Sequence, residues 1–177
     1  MTVRRFVEQD RPVVEVSVPE RQISSVHRER IARQHQGECT YLLAFNRDRP
    51  VGWVLLLTNE DPWSEWRQRY ACAEVEDLYV SPAARRQRHG TDLLLAAEGT
   101  AREMGFRSIG LSAGGENDPD SVAARRLYER AGYQDVARGD WLVGWSWTGN
   151  DGARRGDWLL LGSYFLKDLA RLRCSGG

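Results

Sequence analysis

The stretch EDLYVSPAARRQRHGTDLLLAAE, residues 76–98, changes character twice within one short span. With the residues just before it, Ala73–Val80 reads as a strand in which Glu74, Glu76, Leu78 and Val80 share one face and Val75, Asp77 and Tyr79 the other. Ser81–His89 is a turn rich in arginine, and Gly90–Met104 is helical, with Leu93, Ala97, Thr100 and Met104 at helical spacing. A strand running through a tight turn into a helix sets the helix's unpaired N-terminal amides behind the strand end. Those amides and the helix dipole both favour an anion, phosphate above all. Arg85, Arg86 and Arg88 add cations to the same turn. It is neither a Walker loop nor a GxGxxG turn, since the lysine and the early glycines are missing. A solvated arginine-rich turn has the same composition, so the stretch alone leaves both readings open.

Working outward, Pro19–Gln36 reads as a polar helix with Ile23, Val26 and Ile31 on one face, stopped by Gly37. Thr40–Asn46 and Val51–Leu57 are strands at hairpin spacing, and Thr58–Tyr70 is a loop carrying Trp63, Trp66 and Tyr70. The first twenty residues read two ways: Val13, Val14, Val16 and Val18 favour a strand, whereas Asp10-Arg11-Pro12 suits a helix entry. Downstream come a strand at Phe106–Ser112, a helix from Asp118-Pro119 to Gly132, and two long strands, Tyr133–Trp147 and Trp158–Lys167. The expected architecture is α/β (a mixed α+β arrangement): a central mixed, twisted sheet flanked by helices and closed by a C-terminal β-hairpin. No repeat or linker divides the 177 residues, so one domain spanning 1–177 is expected.

The charges cancel, 25 cationic against 25 acidic, which argues against a bulk field for nucleic acid or an anionic membrane. One of the cations is lysine, Lys167, and the other 24 are arginine. No apolar run approaches membrane-spanning length, and MTVRRFVEQDRP lacks the apolar core of a signal peptide. Cys39, Cys72 and Cys174 fit neither a disulfide framework nor a metal knuckle. Reduced cysteines in a cytoplasmic protein, with no metal, are the expectation.

Two motifs resemble the acetyl-CoA core of the GNAT (Gcn5-related) N-acetyltransferase superfamily. One is Val80-Ser81-Pro82 followed by Arg85-Arg86-Gln87-Arg88-His89-Gly90, similar to the family's V-x-P step and Q/R-x-x-G-x-G/A turn. The other runs from Ser121 through Ala124, Leu127 and Tyr128 to Gly132-Tyr133, similar to N-x-x-A-x-x-L-Y-x-x-x-G-F/Y. The likeness is clear over Ala73 to roughly Val136. Two positions depart from it. Arg88 stands where the first glycine would, and Ser121 where the asparagine would, with Asn117 four residues earlier as a substitute.

The resemblance implies transfer of an acetyl group from acetyl-CoA to a primary amine. It implies cofactor contacts from Leu78, Tyr79 and Val80 at the strand end, from Arg85, Arg86, Gln87, Arg88, His89, Gly90 and Thr91 in the turn, and from Asn117, Ser121 and Tyr128. Amines titrate near pH 10, so a base or a water chain must take the proton before attack. Glu76 fits that role and Glu74 lies two residues along; solvated glutamates on an exposed edge are the other reading. Tyr128 is the expected general acid for the leaving thiolate, although its spacing also suits a packed core tyrosine. On the acceptor side the expected substrate contacts are Trp63, Trp66, Asp77 and Trp145, an aromatic wall for a cationic amine, against core packing or a homodimer contact. The expected acceptor is a small-molecule amine such as an antibiotic, a polyamine or an amino-acid-like metabolite. A ligand sensor without catalysis and a protein-amine acetyltransferase are the alternatives.

Overall fold

Pro12 settles the ambiguous N-terminus. In the computed structural model, strand β1 is Thr2–Arg5 and the valine-rich segment is helix α1, Arg11–Ser17, with the proline in its first turn. Val14 is buried, while Val16 is 80% exposed, a side chain given to solvent that a buried strand would not leave there. The structure describes residues 1–18, 24–59, 65–114, 119–137, 141–148 and 154–170; for residues 24, 65, 141–148 and 154–161 only the backbone is described.

Helix α2, Ser24–His35, ends ahead of Gly37, whose φ of +80° is the left-handed stop that the sequence suggests. Strands β2, Cys39–Asn46, and β3, Arg49–Leu57, form a tighter hairpin than expected: Asn46 pairs with Arg49, and Arg47 takes a left-handed φ of 56° in the turn. The expected loop before the central strand contains helix α3, Glu65–Tyr70, in which Trp66 stacks on Tyr70 one turn later.

Strand β4, Ala73–Val80, leads through a 3-10 turn at Pro82–Ala84 into helix α4, His89–Glu103. Strand β5, Ser108–Ala113, runs parallel to β4, and helix α5, Pro119–Arg130, follows. The long strand expected at Tyr133–Trp147 is broken into β6, Gln134–Asp135, and β7, Trp141–Thr148. An Asp135 carboxylate oxygen accepts the Ala137 N–H at 3.1 Å, a side-chain turn that ends β6. Strand β8, Arg154–Asp168, pairs first with β7 in the C-terminal hairpin and then with β5 and β6.

The strands lie in the order β1-β2-β3-β4-β5-β8-β6, with β7 joined to β8 alone. Every pairing is antiparallel except β4 with β5, so the sheet is mixed, as expected. One face carries a core of Leu42, Val54, Leu56, Val75, Leu93, Ala97 and Tyr128 beneath α4 and α5. The other carries Phe6, Val14, Ile31, Tyr41, Trp53, Leu55 and Tyr79 beneath α1 and α2. On the α4 side, fully buried Glu98 receives the Lys167 ammonium on both oxygens, at 2.7 and 2.8 Å, which ties α4 to β8. Arg102 adds a 3.3 Å contact to the same carboxylate.

Candidate functional site

The alternation expected along β4 fails at Asp77. Glu74 and Glu76 stand opposite Leu57 and Leu55, but Tyr79 stands opposite Trp53, and the register slips between Trp53 and Leu55. Asp77 has a left-handed φ of 43°, so one extra residue is absorbed as a bulge. Cross-strand partners share a face, so Glu74, Glu76 and Tyr79 lie on the α1/α2 side. Leu78 and Val80 pack into the α4/α5 core instead. The expected common face of Glu76 and Leu78 is therefore corrected: the two residues lie on opposite sides of the sheet. β4 pairs with β5 from Ala73 to Val75, whereas its pairing with β3 continues to Val80. The bulge begins where β4 and β5 part.

The Asp77 carboxylate accepts the Trp53 Nε1–H at 2.8 Å and is ion-paired with Arg30 of α2. Asp77, the residue expected to contact substrate, is thus engaged by two protein groups and remains 20% exposed. Burial works against the Arg30 charge, but Asp77 and Tyr41 raise its pKa further above an already high value. Tyr79 is buried and stacked on Trp53 with ring centres 4.6 Å apart.

Beyond Val80 the turn is built from two left-handed residues, Arg86 at φ 61° and Arg88 at φ 68°. Arg88 thus takes the backbone shape that glycine adopts without cost, and its side chain is exposed. The first bond of α4 runs from the Asp92 N–H to the Arg88 carbonyl, so the amides of His89, Gly90 and Thr91 precede the helical ladder. Gly90 packs close: a Cβ there would lie 3.1 Å from Leu127 and 3.8 Å from Val80, where α4, α5 and β4 converge. Arg85 is already engaged, with Asp120 at 2.9 Å and the Val80 carbonyl at 3.2 Å. Gln87 is exposed, its side chain on the Ala83 carbonyl. The His89 ring turns inward onto Met1, leaving its amide to the turn.

Tyr128 is buried on α5, 5.5 Å edge-on from Phe165 and 6.2 Å from Tyr133, ring centre to ring centre. Desolvation alone pushes its phenol above the ordinary value, so it stays protonated at any working pH. Ser121 is buried at the start of α5 with Oγ against Gly114, at the end of β5. Asn117 and Trp63 lie outside the described residues, as does the side chain of Trp145, whose backbone pairs with Trp158.

Trp66 is 8% exposed and stacks on Tyr164 at 4.8 Å as well as on Tyr70, which makes it part of the packing rather than an open wall. Tyr164 belongs to neither sequence motif. Its hydroxyl sits 3.6 Å from the Cys72 sulfur, under Gly110, where any Cβ would collide with it at 2.1 Å. A glycine in mid-strand is the trace that such a close neighbour leaves in a sequence. Arg30 and Trp53, which contact the Asp77 carboxylate, left no comparable trace.

Glu76 is open to solvent, whereas Val75 before it is buried. Desolvation raises its carboxyl above the ordinary range, against the pull of Arg30, Arg33 and Arg67. Glu74 faces Cys72 and Tyr164, where its charge adds to the burial that raises both of their pKa values. If Glu76 is the base, Glu76→Gln lowers turnover by about tenfold at neutral pH, less than a fully enclosed base contributes because solvent reaches the position. Part of the loss returns as pH rises towards the amine's own pKa, and Glu74→Gln does less. The folded-state pKa of Glu76 is raised, so its ionisation costs stability above that value. Glu76→Gln therefore also raises the thermal midpoint at neutral pH, with the difference vanishing below the ordinary carboxylate range. A pH–rate profile and melting curves check both; a wild-type profile, or a larger loss in Glu74→Gln, assigns the proton elsewhere.

Among the described residues there is no cluster of metal-ligating side chains and no helix long and apolar enough to cross a membrane. Comparison with curated proteins found no match. Solved structures share the fold. PaiA N-acetyltransferase from Thermoplasma acidophilum, in complex with coenzyme A, is 15% identical, with a TM-score of 0.63 over 94% of this chain and 98% of its own. Ribosomal-protein-alanine N-acetyltransferase from Brucella melitensis is 17% identical, with a TM-score of 0.63 over 95% and 99%. An aminoglycoside 6'-N-acetyltransferase complexed with coenzyme A is 18% identical, with a TM-score of 0.59 over 96% and 97%. The profile described as the acetyltransferase (GNAT) family matches residues 6–133, a span that takes in the parted strands, the left-handed turn and Tyr128. On that match the chain belongs to the GNAT family of acetyltransferases.

Proposed function

We propose that the protein transfers an acetyl group from acetyl-CoA to the primary amine of a small molecule, by direct attack in a ternary complex. The observation that supports this most is the open β4 edge. Past Val75 it has no β5 partner, and it ends beside a turn whose two left-handed residues lead into the free amides of α4. That donor set suits a pyrophosphate, through successive backbone N–H groups, a helix dipole and the exposed Arg86 and Arg88. Two of the similar structures hold coenzyme A, which supports the same ligand here.

When bound, the thioester supplies the activated acetyl group. The chain's own residues do the rest. Amides at Leu78–Val80 orient the pantetheine arm and the carbonyl. Glu76 takes the amine proton directly or through one water, with Glu74 behind it. The Tyr128 hydroxyl returns a proton to the departing sulfur. Ser121 stands near the end of β5, at the mouth of the same gap.

Free-thiol release over a panel of aminoglycosides, polyamines, amino acids and a peptide bearing an alanine N-terminus tests the proposal. Release with a small amine supports it. Release with the peptide alone points to a protein acceptor, and acetyl-CoA binding without release points to a sensor. Within this reading, Arg88→Ala weakens acetyl-CoA by about tenfold, the loss of one charge-assisted contact. Arg85→Ala weakens it less, because Asp120 already holds that guanidinium. Calorimetric titration checks the order, and an unchanged affinity in Arg88→Ala removes this cation from the site.

A further inference from the structure

Asp77 occupies a left-handed backbone conformation two residues past Val75, the last residue of β4 paired with β5. Two arms hold it there. Trp53 on β3, 1% exposed and wedged between Tyr79 and the His27 ring, donates its indole N–H to the carboxylate. Arg30 on α2 is ion-paired with the same carboxylate oxygen, its guanidinium also lying 5.5 Å over the Tyr41 ring. Asp77 and Arg30 are 20% and 17% exposed, so neither is a loose surface charge.

The left-handed residue decides the register of everything after it. With Asp77 extended, strict alternation would put Leu78 and Val80 on the face of Glu76 and turn Tyr79 away from Trp53. With Asp77 at φ 43°, Leu78 and Val80 enter the α4 core and Tyr79 stacks on Trp53. The direction in which the Leu78–Val80 amides point is set by the same choice.

We infer that Asp77 is a positioning residue: clamped by Arg30 and Trp53, it holds β4 in its bulged register and so aims the Leu78–Val80 backbone at the acyl-pantetheine arm. This rests on the proposed acetyl-CoA site and goes beyond it, because it assigns the alignment of the ligand-facing backbone to a carboxylate engaged by Arg30 and Trp53. It also links α2 mechanically to the donor side.

The test compares two ligands by calorimetric titration. Acetyl-CoA carries the pantetheine arm, whereas ADP carries a pyrophosphate without it. Asp77→Ala is expected to weaken acetyl-CoA by about tenfold or more while ADP stays within about twofold, since the turn and α4 are untouched. Asp77→Asn keeps a side chain that tolerates the left-handed region and accepts the Trp53 N–H, and it restores acetyl-CoA affinity to within about threefold of wild type. Amide hydrogen exchange at Gly52–Leu55, the β3 segment paired across the bulge, should quicken in ligand-free Asp77→Ala and match wild type in Asp77→Asn. Arg30→Met serves as the second variant should Asp77→Ala fail to fold, with the same split expected. Parallel losses for both ligands, or unaltered acetyl-CoA affinity with unaltered exchange, overturn the inference. A wild-type protein that binds both ligands yet releases no thiol with any amine overturns the transferase reading instead, and the ligand split and exchange rates still judge the clamp.

Discussion

Tyr128→Phe is expected to lower turnover about a hundredfold while acetyl-CoA affinity stays at the wild-type level. The substitution removes one oxygen from a ring that packs against Phe165 and Tyr133 in the α4/α5 core, so the hydrophobic contribution survives. Leu127, the preceding residue, touches the position of Gly90 at the start of α4, which sets α5 against both the turn and the end of β4. Burial raises the phenol's pKa, so its proton is available throughout the working range and the loss should be independent of pH near neutrality. Steady-state thiol release, paired with calorimetric binding of acetyl-CoA, checks both halves. Turnover at the wild-type rate makes Tyr128 a core residue only. A melting curve taken alongside separates lost chemistry from lost structure.

Removing the Glu98 carboxylate should have the largest effect on stability. Its side chain is fully buried on α4, and it is the partner of Lys167, itself 10% exposed on β8. In Glu98→Ala the largely buried ammonium loses its carboxylate partner, and the expected loss is about 3–5 kcal/mol in denaturant unfolding. Replacing both partners by apolar residues of similar volume, as in Glu98→Leu with Lys167→Met, should recover most of that loss, because no uncompensated charge remains. A single-variant loss below about 1 kcal/mol would mean that the pair behaves as a surface ion pair. Burial, and Glu98 after it, also push the Tyr133 phenol up.

Much of the architecture was legible because period and punctuation agree in this chain. The helix–strand–hairpin order, the strand–turn–helix at 73–104 and the stop at Gly132 all appear where apolar spacing and glycine placed them. The failures have physical causes. A left-handed aspartate reverses the alternation of β4, and no composition signal marks a residue that adopts such a φ under the grip of Arg30 and Trp53. Trp66 reads equally as an open wall or as packing until Tyr164 is known to lie beside it, and Tyr164 lies almost a hundred residues downstream. The turn was readable in its cations, but not in the pairing of Arg85 with Asp120, which requires the placement of α5.

The Glu98–Lys167 pair has one more consequence, for the protein's own chemistry. A catalyst that handles an activated acyl group keeps a reagent for every accessible amine within reach of its own surface. This chain carries its cationic surface on guanidinium groups, which remain protonated and do not attack a thioester. Its single lysine is held by both oxygens of one buried carboxylate, with its side chain only 10% exposed. Prolonged exposure to the proposed donor should therefore leave every lysine side chain of the protein unmodified, and intact-mass analysis followed by peptide mapping reads that directly.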